Sequence, residues 1–161
     1  QRWQIHIMDS YVWNGALRYN VSLRYEPNVN EIVYYTWQSE DFMDQYGSLY
    51  RSGWRISKFD AFNNGGILCF NASLRYEPGV EEYILYGWHY NSFQNFYTTL
   101  KNNGWRIHQL DLIEDYLVNV VLRMGPYDEQ LILHKSSNTV GSDISNLWSQ
   151  GYRTKILGMS R

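Results

Sequence analysis

Residues 20–27 read NVSLRYEP and residues 71–78 read NASLRYEP, so the chain carries a copy of itself. Aligning the two octapeptides sets Trp3 on Trp54, Asp9 on Asp60, Trp37 on Trp88, Phe42 on Phe93, Tyr46 on Tyr97 and Leu49 on Leu100. Gly53-Trp54 then falls on Gly104-Trp105, and a more divergent third copy runs through Trp105, Asp111, Arg123, Pro126 and Leu147 to Gly151-Tyr152. A period of about 50 residues predicts a stacked or ringed array in which each unit covers its neighbour's apolar face.

Within a copy, periodicity gives the elements. Residues 54–61 alternate and carry isoleucine and aromatics, as a strand does; Asn63-Asn64-Gly65-Gly66 signals a turn, and alternation resumes over 67–76. Pro78-Gly79 makes the next turn, before a strand over 82–88. Ser92 reads as the N-cap of a helix over 93–103, where Phe93, Phe96, Tyr97 and Leu100 form one apolar stripe and Gly104 ends it. The first copy predicts strands at 3–10, 17–25 and 31–37 and a helix over 41–52. The third predicts strands at 105–112, 116–124 and 130–135, a helix over 143–150, and a closing strand at 152–159. The expected fold class is therefore α+β: three tandem strand–strand–helix–strand repeats forming one propeller- or ring-like domain. Its divisions are 1–51, 52–102, 103–149 and a closing 150–161.

A chain of 161 residues is long enough for one domain with a real core. Fifteen tyrosines and seven tryptophans exceed what packing alone asks for, and aromatics serve cores and binding faces alike. A net charge of −2 gives no case for nucleic acid or an anionic membrane. No apolar run approaches the ~20 residues of a membrane span. Gln1-Arg2-Trp3 is expected to enter a strand directly, without a leader pattern, and a single cysteine, Cys69, builds no internal disulfide framework.

The tail of each copy is Gly53-Trp54-Arg55-Ile56, Gly104-Trp105-Arg106-Ile107 and Gly151-Tyr152-Arg153, after a phenylalanine-bearing helix and with strands ending in Trp37 and Trp88. This pattern resembles the polyglycine hydrolase-type structural repeat, also called the bacterial tandem repeat. The resemblance implies a non-catalytic domain that sometimes accompanies a serine hydrolase of the β-lactamase type. The SLRYEP hairpin departs from that pattern, and these 161 residues are not expected to include the hydrolase itself.

The residues themselves offer no catalytic set. None of Lys58, Lys101, Lys135 and Lys155 has serine three positions before it, and neither G-x-S-x-G nor H-E-x-x-H occurs. His6 and His108 are equivalent, but Ser57 stands between them, so a shared ligand role is not expected. Asp9, Asp60 and Asp111 recur singly, too few for calcium, and read as turn caps. No metal or cofactor is expected.

Binding residues are the better candidates. Arg24, Arg75 and Arg123 recur four positions after Asn20, Asn71 and Asn119, which puts each pair on one strand face. They read either as a repeated polar binding surface or as bridges between units. Trp37 and Trp88 are core residues or sugar-stacking platforms, and Trp13 extends the second reading. Asn20 and Asn71 head glycosylation sequons, whereas Val121 breaks the third. The expected protein is extracellular and non-catalytic, a recognition or assembly module for carbohydrate or protein. Two alternatives stay open: a hydrolase or its accessory domain, and a homo-oligomer forming a ring or filament.

Overall fold

The computed structural model describes residues 3–113, 116–131 and 137–152. The elements run β1 (Trp3–Trp13), β2 (Ala16–Tyr25), β3 (Glu31–Gln38), α1 (Ser39–Arg51), β4 (Trp54–Asn64), β5 (Ile67–Tyr76), β6 (Glu82–His89), α2 (Tyr90–Asn102), β7 (Trp105–Ile113), β8 (Leu117–Met124) and α3 (Ser137–Ser149). The chain is thus an α+β protein of small antiparallel sheets and three helices. It divides into two compact units, Gln1–Tyr83 and Ile84–Arg161.

The sheets are β1-β2, β3-β5-β4 and β6-β8-β7. The third strands of the first two repeats therefore leave their own hairpins, β3 pairing with β5 and β6 with β8. The periodicity located the strands but not this exchange. Its physical reason lies in the helix. The α1 crossover sets β3 and β4 parallel, since both run antiparallel to β5, and leaves a slot one strand wide that β5 fills. The sheet-forming unit is thus strand–helix–strand–strand, a shifted frame of the expected repeat. The expected strand positions 132–135 and 153–159 lie outside the described residues.

The first two hairpins turn on paired left-handed residues, Asn14-Gly15 and Gly65-Gly66, whose twist suits a tight connection. Each first strand then carries a bulge at the same place, between Ile5 and Ile7, between Ile56 and Lys58, and between Ile107 and Gln109.

Two helix boundaries differ from expectation. The first helical residue of α2 is Tyr90, because the His89 imidazole, on extended backbone, accepts the Asn91 N–H at 3.3 Å and caps the helix; Ser92 lies inside it. Helix α3 begins at Ser137, with Gly141 accommodated in its interior. Helix ends follow the expected chemistry. Gly53 sits at φ +93°, and a Cβ there would come within 2.8 Å of the Tyr76 ring. The arginine of the Gly-Trp-Arg tail is a cap: Arg55 Nη1 donates to the Tyr50 and Trp54 carbonyls at 2.8 Å, and Arg106 Nη1 serves Lys101 and Trp105 alike.

In the first unit α1 lays Phe42 on the hairpin that follows it, 4.7 Å from Phe70 and 5.4 Å from Phe59 between ring centres. Phe42, Ile56, Phe70 and Leu74 are wholly buried. In the second unit Phe93 and Tyr97 of α2 pack with Ile107, Val118, Val120 and Leu122. Burying each such side chain contributes about 2–3 kcal/mol, so the helix–hairpin contact is the main source of stability in both units.

Candidate functional site

The recurring polar residues of the second repeat, and Asn119 of the third, prove to be internal fittings. Asp9, Asp60 and Asp111 lie directly across the hairpin from Asn20, Asn71 and Asn119. They are cross-strand partners, not turn caps, because each first strand continues past the aspartate. Asn71 is fully buried; its Nδ2 donates to Asp60 Oδ2 and to Ser10 Oγ, each at 3.0 Å, and Ser10 Oγ donates to Asp60 at 2.5 Å. Burial pushes the Asp60 carboxyl above the usual range, against the pull of its Ser10 and Asn71 hydrogen bonds.

The asparagine carbonyl has a second task. Asn71 Oδ1 accepts the Thr36 N–H at 3.0 Å, and Asn119 Oδ1 accepts the equivalent Gly87 N–H at 2.9 Å. Both donors sit in left-handed backbone, φ +56° and +65°, which turns their N–H groups out of the ladder. The side chain restores the bond that the irregular third strand lost.

A recurring glutamate does the same for the first-strand bulge. Glu31 accepts from Ile5 N, Glu82 from Ile56 N and Glu129 from Ile107 N, at 2.9, 3.0 and 2.7 Å. Tyr46 donates its hydroxyl to Glu82, and Tyr97 donates to Glu129. Burial and then the Glu129 hydrogen bond push the Tyr97 phenol far above its usual value. The repeat alignment contains the glutamates and tyrosines, but a bulge has no composition signature, so nothing marked them.

The expected site residues do not converge. Trp37 is 6% exposed, 4.4 Å from Tyr34 and 5.0 Å from Phe42 between ring centres, so the core reading holds for it and the sugar-stacking one does not. Trp88 is half-buried and stacks on Phe96 at 5.5 Å. Trp13, at the end of β1, is 62% exposed. Arg24 is exposed and meets His6 Nε2 at 2.9 Å; Arg75 is half-buried, pairs with Glu26 at 2.8 Å and lies 3.7 Å from Glu31. Arg123 is half-buried on β8, across from Arg106. Asn20 is exposed and suits a glycan. Asn71 does not: a glycan on its Nδ2 has no room in this packing, which corrects the paired-sequon reading at that position.

Cys69 is 1% exposed, and burial pushes its thiol pKa up, away from the thiolate form that nucleophilic chemistry uses. Burial, then the Arg75 and Arg24 charges, lower the Lys58 pKa. Among the described residues no group of three or more His, Cys, Asp or Glu side chains is placed to hold a metal ion. No described helix is long and apolar enough to cross a membrane.

Two surface features remain. An open cleft of about 540 Å³ is lined by Val29, Asn30, Glu31, Trp54 and Tyr76, with the Trp54 and Tyr76 rings edge to face at 5.7 Å. Tyr76 is half-exposed there. The first hairpin is the second feature, with Trp3, Ile7, Trp13, Val21, Leu23 and Tyr25 all exposed. No family model, curated protein or solved structure matches the chain.

Proposed function

We propose that this chain is a non-catalytic, extracellular repeat module that recognises carbohydrate or protein through the aromatic surface of its first hairpin. One observation carries the reading. In the second repeat the recurring Asp60, Asn71 and Arg75 are spent on contacts within the fold, whereas Trp3, Trp13 and Tyr25 stand open on β1 and β2. Exposed tryptophan and tyrosine supply large contact area at low entropic cost, and aromatics left open on a hairpin are suited to contact a ligand. The resemblance of the Gly-Trp-Arg tails to a non-catalytic structural repeat supports the same reading, as does the cleft beside Trp54 and Tyr76, shallow and open rather than a deep pocket.

The test is a glycan array with the intact chain, run beside a screen against extracellular protein ligands, with Trp13→Ala as the control. Binding reduced about tenfold or more by Trp13→Ala is expected, the loss of one aromatic anchor at a contact surface. Binding unchanged in that variant, or no ligand in either screen, counts against the proposal. A ring-like closure of the repeats belongs to the same proposal, and small-angle scattering against open and closed arrangements tests it.

A further inference from the structure

We infer that β2 is an acceptor edge, completed by a strand–helix arm of the same sequence pattern as β3–α1 and β6–α2, contributed by another repeat. The inference rests on the first hairpin being a contact surface and names what part of it contacts.

The comparison is internal. Among the described residues β1 and β2 form a sheet of two strands, whereas β5 and β8 are each the middle strand of three. The equivalent second strands therefore gain a partner in two repeats, and none of the described residues supplies one in the first. Burial follows suit. Tyr19, Val21 and Leu23 are 39%, 46% and 53% exposed, while Phe70, Ala72 and Leu74, and likewise Val118, Val120 and Leu122, are all at 0%. In those two repeats the arm's helix brings Phe42 or Phe93 onto the hairpin, and its strand pairs along the free edge.

Polar groups agree. Asn20 donates Nδ2 to Asp9 at 3.3 Å, as Asn71 does to Asp60, and it is exposed. In the other repeats the asparagine carbonyl takes the N–H of a left-handed residue on the arm. The register of β3 on β5 sets Glu31 across from Arg75, Ile32 from Leu74 and Tyr34 from Ala72. Carried to β2, an arm would lay its glutamate across from Arg24 and its apolar residues across from Leu23 and Val21. It would also present a glycine-like N–H to Asn20. An edge with an exposed apolar face is otherwise an aggregation hazard, and strand addition is the ordinary way to cover one.

The test adds a peptide of residues 79–104 to the intact chain and follows amide hydrogen exchange. Saturable binding is expected, with exchange of residues 20–25 slowed about tenfold or more. Leu23→Lys, a substitution at an exposed position, should abolish that protection while leaving the thermal midpoint of the chain alone unchanged. A second form fuses residues 79–104 directly ahead of Trp3, reproducing the α2–β7 connection. It should protect the same amides and raise the thermal midpoint. Unprotected amides at saturating peptide and in the fusion overturn the inference, as does protection that survives Leu23→Lys. If copies already associate through this edge, light scattering will find an oligomer that the peptide dissociates; an oligomer indifferent to the peptide counts against it. Ligand binding lost on Trp13→Ala but not on Leu23→Lys, with no arm binding, would sink this inference and leave the recognition module standing.

Discussion

Glu82 accepts the backbone N–H of Ile56 at 3.0 Å and also the hydroxyl of Tyr46, so one carboxylate joins the bulge of β4 to helix α1. Removing it takes a carboxylate acceptor from the Ile56 N–H inside a folded sheet and a polar anchor from the helix. Glu82→Ala is expected to cost about 2–3 kcal/mol in urea denaturation, the range for losing hydrogen bonds to a charged group. Glu82→Gln keeps one carbonyl acceptor and should cost roughly half as much. A double-mutant cycle with Tyr46→Phe should return a coupling of about 1 kcal/mol. Independent effects would mean that the carboxylate does not join the two elements.

The same logic separates two equivalent asparagines. Asn71 is wholly buried and makes three hydrogen bonds, whereas Asn20 is exposed and makes one. Asn71→Ala should lose about 2–4 kcal/mol, since it orphans the Thr36 N–H and leaves the buried Asp60 carboxylate short of a donor. Asn20→Ala should change stability by less than about 0.5 kcal/mol. Similar losses at both positions would contradict the burial difference.

Thr36 is a β-branched residue at φ +56°, where its equivalent is Gly87 at φ +65°. Left-handed backbone costs a residue with a Cβ about 1–2 kcal/mol, partly offset in a glycine variant by greater unfolded-state freedom. Thr36→Gly is expected to stabilise by about 0.5 kcal/mol and Gly87→Thr to destabilise by about 1 kcal/mol or more. Calorimetry on both variants checks the pair. A stabilising Gly87→Thr would show that the second strand tolerates the side chain at no cost.

The repeat made most of this fold legible. The periods of two and near 3.6, the paired turn residues and the helix-ending glycines placed the eight described strands and two of the three described helices close to where they lie. Which strand joins which hairpin was not legible, because alternation reports a face and not a neighbour. Helix α2 began early because a histidine serves as a cap, a role that residue-type preference gives to Ser92 instead. Of the candidate site, Trp37 kept its period and went to the core, as recurring aromatics do, while Trp13, which has no counterpart to pack against, stayed open. The glutamates at the bulges were invisible for a different reason: their partners are backbone N–H groups, which every sequence possesses.

Glycan attachment distinguishes the sequons. If the chain is expressed through a eukaryotic secretory route with its β2 edge uncovered, Asn20 should carry sugar and Asn71 none, since only the first side chain is then open in the folded protein. Enzymatic removal of the glycan converts the attached asparagine to aspartate, so peptide mass mapping will assign the site. Modification at Asn71 in folded, monodisperse material would overturn the burial of that side chain. An unmodified Asn20 in material whose residues 20–25 exchange freely would weaken the extracellular reading, whereas a covered edge would shield Asn20 as Asn71 is shielded.

Tyr97 should make the protein sensitive to alkali in a way that a single substitution removes. Its phenol is held above the ordinary value of 10.0, first by burial and then by its hydrogen bond to Glu129. In the unfolded chain the group releases its proton near that ordinary value; in the folded chain it does not. Above about pH 10 the folded state therefore holds the extra proton, and stability falls as pH rises, by about 1.4 kcal/mol per pH unit for this one group. Below pH 10 both states are protonated and the contribution is fully present. Alkaline pH acts on a folded chain through many groups at once, so the useful quantity is the difference in unfolding free energy between the native chain and Tyr97→Phe. That difference should be constant from pH 7 to about 9.5 and then close steadily, because phenylalanine loses the hydroxyl bond but has no proton to release. A difference that stays flat to pH 11 would mean that Tyr97 ionises as readily in the fold as outside it, and that the Glu129 contact does not hold its proton.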